Sequence, residues 1–347
     1  MAKNDSTGKK NNGSSGRTRR DALVPPAEFR GDITTWAAWL YYEEEMTQEE
    51  ISRRLGISRG TVVTMLQEAR TNGTVSISIK PEFLTTIGLA REISAKFGIR
   101  ECLVVPGNRD QRHEQECLGR AGAQLLAERL EPEDVLGVSW GRAVLAVSQA
   151  MPSQHLPEAS VVQITGSAIG TYRFTSEACA ANIANRIGAR CVYLHAPGIV
   201  SSAEAKNMFM KEPALIEQFR IISTCNKIIF GVGNVSAAST AFESGFLSSS
   251  EGDPYRKKGA VAVLAGRFID AFGRHVLGEV DERMIGMTVD EIKKIPERFC
   301  VAAGADKAAP IHALLTGGYI TTLITDEATA RDILAMPLAV SFEGTVS

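Results

Sequence analysis

The chain of 347 residues lacks the features that mark several large classes of protein. No apolar run approaches the roughly 20 residues that a membrane-spanning helix needs, so the sequence predicts no membrane span. The first 20 residues contain no apolar segment, and we therefore expect no secretory signal there. The net charge is only -2, with 38 Lys and Arg residues against 40 Asp and Glu residues. This balance excludes a protein that binds nucleic acid through bulk positive charge.

Cysteine pairs at the spacing of metal ligands are also missing. No two of the six cysteines form a CxxC pair, so we expect neither a zinc site nor a disulfide framework. Most of them lie in apolar stretches, where cysteine behaves as a small core hydrophobe. We therefore expect a cytoplasmic protein without a metal or cofactor. The cysteines are Cys102, Cys117, Cys179, Cys191, Cys225 and Cys300.

The composition that is present, 44% apolar and 22% charged residues, is typical of a soluble globular protein. The length predicts two domains, or one large domain with a small one attached, and changes in composition divide the chain further. Residues 1–30 form a basic tail that we expect to be disordered. Its role is either to keep the protein soluble or to attract phosphate groups weakly. Residues 31–82 are predicted as a helix-turn-helix domain, 83–98 as a linking helix, and 99–347 as a ligand-binding and oligomerisation domain.

Near the N-terminus the sequence carries the pattern of two short helices joined by a tight turn. Thr47 and Glu50 form a capping box that opens the first helix, and Gly56 ends it. Ser58 is placed to cap the second helix, which is predicted over Arg59–Arg70. The flanking segments are predicted as a helix over Ile33–Met46 and a short alternating strand over Thr74–Lys80.

A helix-turn-helix of this kind places the start of its second helix in the major groove of DNA. Ile51 and Val62 pack the two helices together, while the polar start of the second helix stays free. We therefore predict binding of operator DNA, against the alternative of a merely structural bundle of short helices. Because one copy of so small a unit binds weakly, we also expect a homo-oligomer. The residues expected to contact DNA are Gln48, Arg54, Ser58, Arg59, Thr61 and Thr64.

Beyond residue 98, short apolar strands alternate with helical stretches. Strands that are apolar on both faces and interleaved with helices indicate an α/β fold with a parallel sheet covered on both sides. The strands are predicted to begin at Cys102, Val135, Val161, Val192, Ile228, Val261, Phe299 and Thr322. The helices are predicted near Arg112–Leu130, Arg142–Met151, Ser176–Ile187, Lys307–Leu315 and Glu327–Met336.

Glycine-rich turns follow several of these strands. In open α/β sheets, ligands bind beyond the carboxyl ends of the strands, where free backbone N–H groups suit an anionic oxygen. Lys307 stands just after a strand at a helix start. Asp270, near another strand end, is suited to a hydroxyl pair or to capping a turn. The residues of the glycine-rich turns that we expect to bind a ligand are Gly137, Ser139, Trp140, Gly141, Arg142, Gly166, Arg173, Gly231 and Gly233.

In this order, the motifs resemble those of the SorC/DeoR-type family of bacterial sugar-responsive transcriptional regulators. The matching strings are TQEEISRRLGISRGTV, LGVSWGRAV, GVGNV, GAVAVLAGRFIDAFG, VAAGADKAAPI and GGYITTLITDEATA, within about residues 33–336. The resemblance implies a large ligand domain similar to ribose-phosphate isomerases and CoA transferases, preceded by a helix-turn-helix. It also implies a tetramer whose DNA affinity changes when a sugar, sugar phosphate or polyol binds.

The resemblance further assigns roles to single residues. Ser139–Arg142 match the loop that holds the ligand's phosphate or terminal hydroxyls, Lys307 matches a pocket lysine, and Asp270 matches a recurrent acid. The sequence departs from the common family pattern at Ser139 and Ala143 in that loop, at Ala262 and Val263 in a strand, and at Val63 and Thr64 in the recognition helix.

Two functions of different classes remain open from the sequence. The main prediction is a ligand-responsive, DNA-binding regulator of a carbohydrate or polyol operon. The alternative is a sugar-phosphate isomerase or a CoA-transferase-like enzyme, which needs a positioned general base. Glu204 is an isolated candidate for that base, so we expect no catalytic residues. Arg142 and Lys307 favour a phosphorylated or open-chain sugar as the effector, with a small polyol as the alternative.

Overall fold

The computed structural model describes residues 25–75, 81–107, 111–168 and 172–338. The chain divides into two compact units at the boundary between Ile79 and Lys80. Most of the predicted tail and of the predicted strand Thr74–Lys80 lies outside the described residues. The segment predicted as a linking helix belongs to the larger unit and forms one helix, Pro81–Phe97.

The smaller unit contains a helix-turn-helix, as the sequence predicts. Thr47 N donates to Glu50 Oε2 at 2.8 Å, which completes the capping box at the start of the first of the two helices. Gly56 ends that helix with a φ of 63°, a left-handed conformation that glycine adopts without strain. Ser58 Oγ accepts a hydrogen bond from Thr61 N at 3.0 Å and caps the second helix. The helices are α1 (Ile33–Tyr42), α2 (Gln48–Leu55) and α3 (Arg59–Thr71), after a 3-10 turn at Ala27–Phe29.

A small apolar core holds α1, α2 and α3 together. Val62, Leu66 and Ala69 lie on one face of α3, because residues three and four apart share a helix face. They pack against Leu40 and Ile51, which are both fully buried. This packing leaves the opposite face of α3 exposed along its whole length.

The larger unit is built on a seven-stranded sheet and a separate three-stranded sheet. The strands are β1 (Glu101–Val105), β2 (Val135–Val138), β3 (Ser160–Gln163), β4 (Arg190–Val192), β5 (Lys227–Phe230), β6 (Gly233–Asn234), β7 (Ala260–Leu264), β8 (Arg267–Asp270), β9 (Glu297–Val301) and β10 (Thr322–Asp326). The larger sheet runs in the order β1-β10-β9-β5-β2-β3-β4, and its neighbouring strands are all parallel.

Helices cover both faces of the parallel sheet, which confirms the predicted α/β fold. The side chains of successive strand residues lie on opposite faces of the sheet and pack into different apolar clusters. Val161 and Ile229 belong to one cluster, and Val162 and Ile228 to the other. The helices described in this unit are α4 (Pro81–Phe97), α5 (Gln111–Arg129), α6 (Arg142–Ala150), α7 (Ser176–Ile187), α8 (Ala203–Phe209), α9 (Pro213–Ile222), α10 (Thr240–Glu243), α11 (Ser249–Lys257), α12 (Glu279–Arg283), α13 (Val289–Lys294), α14 (Ala308–Thr316) and α15 (Glu327–Ala335).

The segment that begins at Val261 was expected to be a strand of the parallel sheet, and this expectation is wrong. β7 instead pairs with β6 and β8 in an antiparallel sheet of three strands. The cause is the turn at Ala265 and Gly266, whose φ values of 49° and 87° reverse the chain within two residues. A parallel strand needs a long crossover connection, which the direct step from β7 to β8 does not provide.

One ion pair is deeply buried beside the amino ends of β2 and β5. Lys227 Nζ lies 2.8 Å from Asp134 Oδ1, and the two side chains are only 6% and 3% exposed. Asn226 Nδ2 donates to the same carboxylate oxygen at 2.7 Å. The pair therefore links the starts of two neighbouring strands, with Glu297 Oε1 as a second, more distant partner of Lys227 Nζ at 3.8 Å.

Asp134→Ala is expected to lower the free energy of unfolding by about 3–5 kcal/mol, because it leaves the buried Lys227 with only the more distant carboxylate of Glu297, whose Oε1 lies 3.8 Å from Lys227 Nζ. Urea denaturation of the full chain measures this loss. Glu217→Ala is the control, since it removes one partner of an exposed pair with Arg220 and is expected to change stability too little to measure. Similar losses in the two variants would contradict the assignment.

Candidate ligand cavity and DNA-contacting surface

A cavity of about 340 Å³ opens at the carboxyl ends of β2, β5 and β9 in the larger unit. This volume lies in the range of small-molecule sites. Because the three strands are parallel neighbours, the segments that follow them meet at one edge of the sheet. The lining includes the predicted residues Ser139, Trp140, Gly141, Arg142, Gly231, Gly233 and Lys307.

The turn after β2 presents the start of α6 to the cavity. Ser139 N donates to Ile229 O at 3.0 Å and Gly141 N donates to Phe174 O at 3.3 Å, so the turn is held from two sides. Gly141 has a φ of 125° and is the N-cap residue of α6. No side chain among the described residues caps α6, so the backbone N–H groups of its first turn remain for another acceptor. The positive end of the helix dipole favours an anion there.

A second helix start reaches the cavity after β9. Gly304 N donates to Asp326 Oδ2 at 3.0 Å and to Thr329 Oγ1 at 2.8 Å, which ties this turn to the beginning of α15. Lys307 ends a 3-10 turn, Ala305–Lys307, and is the N-cap residue of α14, where again no described side chain caps the helix. Pro310 has no N–H, so Ala308 and Ala309 supply the backbone donors of this helix start. The predicted position of Lys307, between a strand and a helix start, is therefore the observed one.

Ser239 supplies a polar group that the sequence analysis missed. Its side chain is 3% exposed and lines the cavity just before α10. Ser239 Oγ has no hydrogen-bond partner among the described residues. A buried hydroxyl without a partner costs free energy, which a bound ligand relieves when it hydrogen-bonds to that group. The available signal was the pair Ser239-Thr240 ahead of an apolar residue, a helix-start pattern that follows the Gly231–Asn234 turn.

A carboxylate lies beside each of the two positively charged side chains that line the cavity. Arg142 Nη2 lies 2.5 Å from Glu243 Oε2, and Lys307 Nζ lies 3.1 Å from Asp306 Oδ2. The side chains of Arg142 and Glu243 are 52% and 40% exposed, so solvent weakens their attraction and a ligand can compete for either group. Asn234 Nδ2 donates to Asp306 Oδ2 at 2.7 Å and holds that carboxylate near Lys307. Glu243 and Asp306 were not among the predicted site residues.

Four of the predicted ligand residues lie outside the cavity lining. Gly137 lies within β2, and a Cβ atom there would meet Ile164 Cγ2 at 2.9 Å, so this glycine serves close packing. Gly166 lies beside a smaller cavity of about 20 Å³ that shares Trp140 with the main cavity. Arg173 is exposed. The structure thus brings the β2, β5 and β9 turns together but leaves these positions apart.

Asp270 is the fourth of these residues, and its carboxylate is used within its own turn. Asp270 Oδ1 accepts hydrogen bonds from Phe272 N and Arg274 N, both at 2.9 Å. Asp270 Oδ2 lies 2.8 Å from Arg274 Nε. This geometry is that of a turn cap, the alternative that the sequence left open for Asp270.

The predicted DNA-contacting residues lie along α2 and α3, from Gln48 at the start of α2 to Thr64 within α3. Arg59 Nε donates to Gln48 Oε1 at 3.4 Å, so these two side chains lie side by side. Ser58 Oγ and Thr61 Oγ1 are 2.8 Å apart, and both residues are exposed. Thr64 is also exposed on α3. Arg54 is turned to Glu44, whose Oε2 lies 3.0 Å from Arg54 Nη1.

Comparison with known proteins decides the family. The Sugar-bind model, which describes a sugar-binding domain, matches residues 82–335, and the model Sigma-70, region 4 matches residues 39–72. The transcriptional regulator YjhU of Escherichia coli (strain K12) is 35% identical over 89% of this chain and 96% of its own length. The crystal structure of the full-length sorbitol operon regulator SorC from Klebsiella pneumoniae superposes with a TM-score of 0.68 at 26% identity, over 87% of this chain and 97% of SorC. The chain belongs to the SorC/DeoR-type family of transcriptional regulators.

A further relative is the transcriptional regulator LsrR of Klebsiella pneumoniae, 30% identical over 88% of this chain and 93% of its own length. As a SorC/DeoR-type regulator, the chain combines a DNA-binding helix-turn-helix with a sugar-binding domain. The matched relatives carry the names of regulators, which favours regulation over isomerase or transferase activity.

Three of the cysteines are poorly suited to act as nucleophiles. Burial raises the pKa values of Cys102, Cys179 and Cys225 to about 12, so these thiols are protonated at neutral pH. Among the residues that the structure describes, no group of three or more His, Cys, Asp or Glu side chains is arranged to hold a metal ion. Within the same part of the chain, none of the helices has the length and apolar character needed to span a membrane.

Gly141→Ala is expected to lower the free energy of unfolding by about 1–3 kcal/mol, because a side chain is strained at a φ of 125° even though the space around it is open. Thermal or urea unfolding without ligand measures the loss. Gly231→Ala is the matched control in the same lining, since its φ is not positive and its Cβ would make only ordinary contacts, the nearest 3.6 Å from Val301 O. If Gly231→Ala destabilises the protein as much as Gly141→Ala, the backbone explanation is wrong.

Proposed function

We propose that the cavity at the carboxyl ends of β2, β5 and β9 binds a sugar, sugar phosphate or polyol, and that binding changes the affinity of the regulator for its operator. A phosphorylated sugar fits the cavity best. The observation that carries this proposal is the meeting of two helix starts without side-chain caps, those of α6 and α14, beside Arg142 and Lys307. Phosphate oxygens accept hydrogen bonds from such N–H groups and from both cations.

The carboxylates near the two cations give a reason to test a neutral ligand as well. Glu243 and Asp306 balance Arg142 and Lys307, and each of them can accept a hydrogen bond from a sugar hydroxyl. A small polyol therefore remains the second candidate. The phosphorylated ligand is preferred because an anionic oxygen accepts stronger, charge-assisted hydrogen bonds from the helix N–H groups and the cations than a hydroxyl oxygen does.

On the DNA side, we propose that α3 enters the major groove. Arg59 and Thr61 lie at its exposed start, where side chains of a recognition helix reach the base edges. Gln48, at the start of α2, contacts Arg59 and is placed to support it or to bind the adjacent phosphate. Ser58 and Thr64 complete the contact surface, with Arg54 at its margin.

The effector proposal is tested by calorimetry on the full chain with sugars and polyols, each paired with its phosphate. The phosphorylated member is expected to bind more tightly, and Lys307→Met to weaken its binding by about tenfold or more, because a charge-assisted hydrogen bond is lost. Ser239→Ala is expected to weaken binding without lowering stability in the absence of ligand, since the Ser239 hydroxyl has no described partner to lose. Arg331→Met, which removes an exposed cation outside the cavity lining, is the control.

Tight binding of an uncharged sugar or polyol that Lys307→Met leaves unchanged would contradict the phosphate proposal and favour the polyol. Turnover of a pentose phosphate or a CoA thioester by the pure protein would contradict the regulatory function itself and restore the enzyme alternative.

We also propose that the regulator is a homo-oligomer, a tetramer by family resemblance, because one small helix-turn-helix binds DNA weakly and specific recognition joins two half-sites. Light scattering of the full-length protein is expected to give four times the mass of one chain. A single-chain mass at the concentration that saturates operator DNA would contradict this proposal.

A further inference from the structure

Val63 is an exposed apolar side chain on the helix that we place in the major groove. It is 43% exposed, whereas the adjacent Val62 is fully buried in the core of the smaller unit. The packing of α1, α2 and α3 therefore uses Val62 and leaves Val63 outside. The fold leaves a large part of Val63 in contact with solvent, although a valine on a helix surface weakens the helix slightly relative to a polar straight-chain residue.

The side chains around Val63 form a row with a defined chemistry. Arg59, Val63 and Gln67 are four residues apart on α3 and are all exposed, so an apolar group stands between a cation and an amide. A groove-binding row of this kind is expected to be polar throughout if it reads only hydrogen-bonding base edges. The isopropyl group of Val63 carries neither a donor nor an acceptor.

The residues of α3 beside this row have small side chains and offer few free hydrogen-bond donors. Thr64 Oγ1 donates to Gly60 O at 3.1 Å, so its hydroxyl hydrogen is used within the helix and its methyl group remains for outside contact. Gly60 adds no side chain, and a Cβ atom there would make an ordinary contact with Ser58 Oγ at 3.7 Å. The start of α3 can therefore approach a flat surface closely.

The major groove of DNA presents one apolar group, the C5-methyl group of thymine. We propose that Val63, together with the methyl group of Thr64, contacts a thymine methyl group in each operator half-site and so selects an A·T pair at that position. The proposal rests on the DNA-binding function of the smaller unit. It assigns base selection to a residue pair that offers no hydrogen-bond donor to the base.

A second copy of the chain is the other partner that an exposed valine suggests, and the surroundings of Val63 argue against it. A stable protein interface buries about 800 Å² on each partner around an apolar centre. Here the residues of α3 next to Val63 on the exposed face are Arg59, Thr64 and Gln67, which are polar or charged. One isolated valine among such residues suits a single methyl group better than an interface.

The experiment uses the full-length protein and a duplex that the protein itself selects from a random pool. Each thymine of the selected site is replaced in turn by uracil, which removes only the C5-methyl group. Binding of the unmodified protein is expected to weaken about threefold to tenfold at one thymine in each half-site, and to be unchanged at the others.

Variants of Val63 then connect the effect to the side chain. Val63→Ala is expected to bind the thymine duplex nearly as weakly as the unmodified protein binds the uracil duplex. The variant is expected to lose most of the difference between the two duplexes, the remainder coming from the methyl group of Thr64. Val63→Thr keeps one methyl group at this position and is expected to retain part of the difference. Arg59→Ala is the comparison variant, since it should weaken binding to both duplexes while the thymine-to-uracil ratio stays unchanged.

Two results would overturn the inference and leave the regulator function standing. The first is that the unmodified protein binds the selected site equally strongly whichever thymine is replaced by uracil. This result does not depend on any protein variant. The second is a Val63→Ala variant that keeps the full uracil effect, or that changes the oligomeric mass in light scattering instead, which would assign Val63 to a protein contact. Failure of the protein to select any sequence from the pool would instead overturn DNA recognition as a whole.

Discussion

The parallel pairing of β2, β5 and β9 is the constraint on which the candidate ligand site depends. Parallel strands end at the same edge of a sheet, and each must be followed by a connection that leaves this edge. The starts of α6 and α14 consequently face one space, although their residues are more than 160 positions apart in the chain. The dipoles and N–H groups of the two helices create a positive field there before any side chain contributes. Arg142 and Lys307 strengthen it, and Glu243 and Asp306 limit it in the absence of an anion.

The same site contains interactions that are left incomplete until a ligand binds. Ser239 Oγ is buried without a described partner, and the first turns of α6 and α14 lack side-chain caps. In the smaller unit, Val63 is comparable, because it is an apolar side chain that the fold leaves 43% exposed. Groups that cost stability in the isolated chain are reasonable places to look for the partners of a regulator.

Local rules predicted the parts of the structure that depend on neighbouring residues. The Thr47–Glu50 capping box, the turn at Gly56 and the cap at Ser58 involve atoms within four residues, and all three were readable from the sequence. The direction of β7 was misjudged because an apolar run does not reveal whether a strand is parallel, and the turn at Ala265 decides it. The roles of Glu243 and Asp306 depend on contacts with distant segments, so no local pattern marked them. For Ser239 the sequence offered a helix-start pattern, but its burial in the cavity lining depends on the fold.

The central claim is that helix N–H groups at the sheet edge bind the anionic part of a sugar phosphate. Amide hydrogen exchange of the full-length protein, with and without the sugar phosphate that binds it, tests this claim most directly. Backbone amides in the first turns of α6 and α14 are expected to exchange more slowly when the sugar phosphate is bound. Unchanged exchange in both turns, with slower exchange confined to the smaller cavity beside Gly166, would contradict it.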